Sequence, residues 1–197
     1  MSKFDKNTIK QVNEYISFAP GILISSPELK DPNFYQTVVL LVEHNSSGSF
    51  GLVVNRPLET TVAEILSSLD IPYLGPTDRP LFLGGPVGLD RVCFIHSSKF
   101  RWKDTLRLTD SISLSFSTEG LKELAQLRNE RYYVFVGSSG WGALQLENEI
   151  TSNAWLTYHI VEKLLFDTHH EKMWGEAFRI MGIDPLMLSA STTTTIQ

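Results

Sequence analysis

Residues Thr37 to His44 read TVVLLVEH, an apolar run rich in β-branched side chains. A strand with one face in water alternates apolar and polar residues. A run this continuous is buried on both faces, so it belongs near the middle of a sheet. The turn-rich stretch NSSGSF follows, and then GLVVN, Gly51 to Asn55. Two strand-like runs joined by so short a Gly- and Ser-rich link read as a hairpin. Arg56-Pro57 ends the second strand, because proline has no N–H to give to a ladder.

Further strands are expected at Gly21–Ser25, Leu81–Leu83, Arg91–His96, Ser111–Phe116 and Tyr132–Val136. Helical patterns interrupt and follow them. Thr61 and Glu64 have capping-box spacing ahead of Val62, Ile65, Leu66 and Leu69. Leu121, Leu124, Ala125 and Leu127 mark one face of a helix from about Thr118 to Arg128. Beyond residue 150 the chain reads as mainly helical. Ala154, Tyr158, Val161 and Leu165 recur at intervals of three and four, and a last helix around Trp174–Met181 stops at Gly182, a C-cap. Strands early and helices late do not alternate as a doubly wound parallel sheet requires. The expected class is therefore α+β: a single domain with a curled, largely antiparallel, partly barrel-like sheet flanked by helices. The domain is expected over 15–188, after an N-terminal extension, 1–14, and before a frayed tail, 189–197, that holds four consecutive threonines.

A chain of 197 residues buries enough surface to fold without disulfides or a structural metal. Its single cysteine, Cys93, lies in the apolar run VCFI and reads as a buried core thiol, which points to a reducing, cytoplasmic setting. No secretory leader or membrane-spanning run is read from the sequence. A net charge of −5 and the lack of a dense Lys/Arg cluster disfavour direct nucleic-acid binding. No HExxH or Cys/His set is present, so neither a metal nor a cofactor is expected.

The chemistry-bearing residues fall in four segments near strand ends: His44–Gly51, Asn55–Pro57, Gly84–Gly88 and Gly137–Ile150. Backbone amides in glycine-rich turns can cradle an anion, and His44 and Arg56 would add positive charge. The plainer reading is that the glycines only shape tight turns. Candidate ligand-binding residues are His44, Asn45, Gly48, Asn55, Arg56, Gly84, Gly85, Gly140, Trp141 and Glu147. GSSGW lacks the G-x-S-x-G pattern of a nucleophile elbow and the signature of a phosphate loop. His44 and His96 each end a strand and are placed together at a sheet edge. His169 and His170 read as solvated, and His159 and Glu162 share a helix. Glu147 and Glu149 would share a face on a strand and diverge on a helix.

These same segments resemble the AlgH/YqgE family of small bacterial proteins. The match runs through GILISSPELKDPNFYQTVVLLVEHNSSGSFGLVVNRP, LFLGGPV, and the GW followed by QLENEI. It covers roughly residues 15 to 187. The family usually carries Pro-Gly where this chain has Ala143-Leu144, and Tyr or Ala where it has Ser138-Ser139. The resemblance implies a compact α+β protein with bent, partly barrel-like sheets. Many members are labelled transcriptional regulators, and no catalytic set is established for them. The function expected is regulatory, through a small anionic ligand or a protein partner rather than by catalysis. The alternatives are an enzyme acting on a phosphorylated or nucleotide substrate, and a DNA-binding transcriptional regulator.

Overall fold

The computed structural model describes residues 16–191, with side chains through residue 188. The N-terminal extension expected over 1–14 and the last six residues of the expected tail lie outside the described residues. Strand β1 (Gly21–Ser25) is followed by the hairpin of β2 (Val38–Asn45) and β3 (Gly48–Val53). Then come β4 (Pro57–Thr61), α1 (Val62–Ser68), β5 (Pro80–Leu83) and β6 (Val87–Ser97). Next are β7 (Thr105–Arg107), β8 (Ile112–Ser115), α2 (Thr118–Ala125) and the long β9 (Tyr132–Gly142). The chain ends with α3 (Gln145–Thr151), β10 (Trp155–Tyr158), α4 (Glu162–Asp167), α5 (His170–Met181) and α6 (Pro185–Ser191).

The main sheet runs β10-β1-β2-β3-β9-β6-β8-β7, antiparallel at each junction. Strand β5 adds to β9 in parallel and carries β4 on its other side. The result is the expected α+β class, a curled and largely antiparallel half-barrel. Among the described residues no helix is long and apolar enough to cross a membrane.

The burial of the hairpin follows from its composition. Val38 and Leu40 enter one core cluster with Ile22, Leu52 and Phe135, which α4 and α5 cover through Leu164, Leu165, Met173 and Phe178. Val39 and Leu41, one residue out of phase, enter a second cluster with Leu23, Val53, Trp141 and Trp155. Both faces of β2 are thus dry over Val38–Leu41, as the continuous run demands. A third cluster packs α1 and α2 against Phe94, Tyr132 and Val134. Strand β9 contributes to all three clusters.

Its two halves have different neighbours. Leu81–Leu83 of β5 lies beside Val134–Val136, whereas Gly48–Gly51 of β3 lies beside Ser139–Gly142. The exchange happens at Gly137, whose φ of 68° suits glycine. On the other side, β6 slips register between Val87 and Val92, so Gly88 to Arg91 face the single residue Gly137. This is a large bulge of the kind that bends a strand.

Several local expectations hold. Thr61 and Glu64 form a reciprocal capping box, Glu64 Oε2 accepting from the Thr61 N–H at 2.8 Å. Gly182 closes α5 with a φ of 70°. Others are corrected. The helical spacing read from Ala154 to Leu165 dissolves into β10, a loop and the short α4. Trp155–Tyr158 pairs with the open edge of β1, and this long-range pairing overrides the local pattern. His159 therefore lies in a loop, and Glu162 opens α4 and accepts from Ser111 Oγ at 2.5 Å. Strand β3 stops at Val53, ahead of Arg56-Pro57, and Pro57 opens β4. The GSSGW segment is strand rather than loop, because β9 runs on to Gly142.

His44 and His96 do not meet. His44 is level with Ser49 and so with Trp141, while His96 is level with Tyr132. Those two β9 positions lie at opposite ends of the strand, roughly 30 Å apart at a strand's rise per residue. His96 is fully buried among Phe94, Phe100 and Trp102. Its Nδ1 sits 2.9 Å from the Ser97 carbonyl, and its Nε2 has no hydrogen-bond partner. Burial holds the ring's pKa below the usual histidine value, against a smaller upward pull from the Ser97 bond.

A Cβ at Gly84 would lie 2.4 Å from the Gly137 carbonyl oxygen, whereas one at Gly175, inside α5, would meet nothing within 4 Å. Gly84→Ala should cost about 1–3 kcal/mol in urea unfolding, and Gly175→Ala should add about 0.5–1 kcal/mol. The folded His96 binds a proton less readily than the unfolded one. Its stability is therefore fully present above the unfolded pKa of about 6.5 and is lost as pH falls from there through the folded value. Wild type should lose more stability than His96→Phe between about pH 7.5 and about pH 5.5. Parallel losses would refute this.

Candidate functional site

The four motif segments converge on the second half of β9. Gly48 pairs with Gly142, Ser49 with Trp141, Phe50 with Gly140 and Gly51 with Ser139. From the other hairpin side, Gly84 N–H donates to the Val136 carbonyl at 2.9 Å. The Gly84 carbonyl accepts from Val53 N–H at 2.8 Å and from Ser139 Oγ at 3.0 Å. A Cβ at Gly85 would stand 2.4 Å from both the Ser138 carbonyl and Ser139 Oγ. These glycines let three backbones close on one seam. Gly140 is exposed and unconstrained by any side chain.

Asn55 and Arg56 tie that seam to the segment before β2. Asn55 Oδ1 accepts from Val38 N–H at 2.9 Å, and its amide donates to the Gln36 carbonyl at 3.0 Å. Arg56 Nη2 donates to the Tyr35 carbonyl, and the Arg56 carbonyl accepts from Leu83 N–H at 2.8 Å. Asn45 shapes the β2–β3 turn through Oδ1, which accepts from Ser47 N–H at 2.8 Å.

On α3 the two glutamates diverge, as residues two apart on a helix must. Glu149 Oε2 accepts from Trp141 Nε1 at 2.9 Å and from Trp155 Nε1 at 2.8 Å. The two indoles meet edge to face with centroids 5.9 Å apart, and Phe34 packs on both. Gln145 steadies the other oxygen of Glu149 at 2.9 Å while its own carbonyl caps Gly142 N–H at 3.0 Å. Glu147 turns the other way, 3.3 Å from Nε2 of the buried His44. His44 Nδ1 accepts from Phe18 N–H at 3.0 Å, so the neutral ring carries its hydrogen on Nε2, towards Glu147. Phe18 also stacks on the imidazole at 5.0 Å.

An enzyme built from His44, Arg56 and Glu147 or Glu149 needs these groups to reach one substrate together. The geometry instead gives each a partner within the protein: both nitrogens of His44 are engaged, Glu149 holds two indoles, and Arg56 holds the Tyr35 carbonyl. What lies open is a cleft of about 310 Å³ beside Gly137 and Ser138, walled by Phe50, Phe116 and Leu106. Glu43 and Arg91 line it, and Cys93 sits at its base, its thiol pushed up to about 12 by burial. None of the ten sequence candidates lines this cleft, but Glu43, next to His44, and Phe50, the cross-strand partner of Gly140, do. Arg91 and Phe116 come from segments that read only as strand. Arg91 sits in the β6 bulge, which no short-range pattern announces. Other cavities lie away from the seam, between the β1–β2 segment and α6, and on either side of α4.

The AlgH-like family model matches residues 22–186. This chain belongs to that family. A UPF0301 protein of Vibrio parahaemolyticus is 36% identical over 175 residues, 85% of this chain and 94% of that protein. One of a Marinomonas species is 38% identical over 176 residues, 88% of this chain and 94% of that protein. The solution structure of the AlgH protein of Pseudomonas aeruginosa superposes with a TM-score of 0.72 at 34% identity, covering 95% of this chain and 97% of that one. A crystal structure from Corynebacterium diphtheriae shares the fold, with a TM-score of 0.66 at 18% identity over 81% of this chain and 85% of that one. The departure from the family's usual Pro-Gly falls where it matters for the backbone. Leu144 sits at φ 60°, a left-handed conformation that glycine adopts without cost.

Glu149→Ala strands two indole N–H groups and should cost roughly 2–5 kcal/mol in chemical unfolding, with a red shift of tryptophan emission. Glu149→Gln keeps one acceptor and should cost less. A Glu149→Ala protein within about 0.5 kcal/mol of wild type would remove the brace from this account.

Proposed function

We propose that this protein acts by binding rather than by catalysis, as a regulatory protein whose state is set by a small ligand in the cleft beside Gly137. The observation that carries this reading is the division of labour at the seam. The imidazole and carboxylates that could serve as acid or base are engaged as structural braces. The cleft next to them takes Phe50, Gly137 and Ser138 from the motif segments and presents apolar walls with a few polar groups, the composition of a ligand site. Its volume lies at the small end of such sites.

A ligand seated there touches Phe50 of β3, Ser138 of β9 and Phe116 just beyond β8. It therefore bears on strands from both halves of the sheet, which gives occupancy a way to be felt at a distance. A protein partner is the second reading. The rim supports it, since Val87 and Leu89 are 54% and 60% exposed beside Leu106 and Phe116, at 48% and 41%.

The test is a thermal-shift screen on pure full-length protein with organic acids, amino acids, amines, nucleotides, phosphate esters and divalent metals in separate wells. A ligand at about 100 times its dissociation constant adds roughly 2.7 kcal/mol, which should raise the midpoint by roughly 5–10 °C. The response should vanish in Phe116→Asp. A pure sample that turns over a substrate, and loses that activity on one side-chain change, would overturn the reading. So would a flat screen with no compound perturbing the Gly137 or Ser138 amides in NMR spectra.

A further inference from the structure

Glu43 and Arg91 line the same cleft, yet no ion pair joins them within 4.0 Å. The Glu43 carboxylate accepts from the side-chain amide of Asn45 at 2.6 Å. Arg91 makes no ion pair among the described residues. Its stem lies along Gly88, where a Cβ would stand 3.4 Å from Arg91 Cδ. Both groups are exposed at the mouth. Between them the wall is apolar: the Phe50 and Phe116 rings lie 6.2 Å apart, with Leu106 alongside.

Opposite charges held apart at an apolar slot complement one molecule that carries both signs on an apolar body. A simple anion gains Arg91 but faces Glu43, and an amine faces the reverse. A neutral apolar ligand uses neither. Resting on the binding reading above, we infer that the cleft takes a free α-amino acid with an aromatic or branched apolar side chain. Its carboxylate pairs with Arg91, its ammonium with Glu43, and its side chain packs onto the Phe50 and Phe116 rings beside Leu106. Guanidinium–carboxylate pairing fixes the orientation of such a ligand. The strand backbone of β9 at Gly137–Ser138 supplies a floor that a loop would not.

The experiment titrates full-length protein with L-phenylalanine, 3-phenylpropionate and phenethylamine, following backbone amides by NMR. Phenylalanine should shift the Gly137 and Ser138 signals in a saturable way. The analogues, each lacking one charge, should bind at least about tenfold more weakly. Arg91→Leu should abolish the preference for phenylalanine over phenethylamine, and Glu43→Gln its preference over phenylpropionate. Both positions are exposed, so both variants should keep the wild-type unfolding midpoint. Phenylpropionate binding as tightly as phenylalanine, or a preference untouched by Glu43→Gln, would overturn the inference. So would silence from all three compounds while another class from the screen shifts the same amides; the binding reading would then stand without it. Silence at Gly137 and Ser138 from every compound would overturn both.

Discussion

The fold depends on one strand that has to bend. Strand β9 is the shared member of two half-sheets, and on one side its neighbour changes from β5 to β3 at Gly137. A straight strand could not serve both. The left-handed backbone of Gly137, the carbonyl of Gly84 passing within reach of Val53 and Ser139, and the slack taken up by β6 are parts of one solution. Each needs the others, because an unpaired backbone group at this depth would cost as much as a lost hydrogen bond. The bulge that lets β9 turn is also what opens the cleft.

The brace on α3 fixes the far end of that strand. Two tryptophans from β9 and β10 share one carboxylate oxygen, so the strand before the helix and the strand after it are locked to a single side chain. Glu147 does the same for the entry of the chain, through His44 and Phe18. The glutamates of QLENEI, Glu147 and Glu149, thus read as architecture. This shifts the search for activity away from the titratable residues and towards the apolar surface they hold in place.

Much of the fold was legible in the sequence because it is written in local patterns. The continuous run at Val38–Leu41 announces a strand buried on both faces, and Thr61 with Glu64 announces a helix start. Trp155–Tyr158 misled because its apolar residues also fit a helical stripe, and only the distant edge of β1 decides between the two. The candidate site was legible in position but not in role. His44, Gly84 and Trp141 do gather at one seam, yet what each does there depends on partners such as Phe18, Gly137 and Trp155. The cleft itself was hidden, since Arg91 is brought to it by a slip of register and Phe116 by long-range strand pairing rather than by any motif.

The pairing of β10 with β1 joins residues from the two ends of the domain. As the chain leaves the ribosome, β1 can dock on β2 as soon as the first hairpin has emerged, but its outer edge must wait for almost everything else to be made. Trp174, whose indole N–H donates to the Ser25 carbonyl at 2.9 Å, arrives later still. Contacts this distant in sequence form slowly. During synthesis an apolar strand with an unsatisfied edge stands open, the state in which a nascent chain is vulnerable to pairing with another. Strand β10 is therefore a late clasp, and the order of synthesis rather than the strength of any one contact sets when the domain is closed.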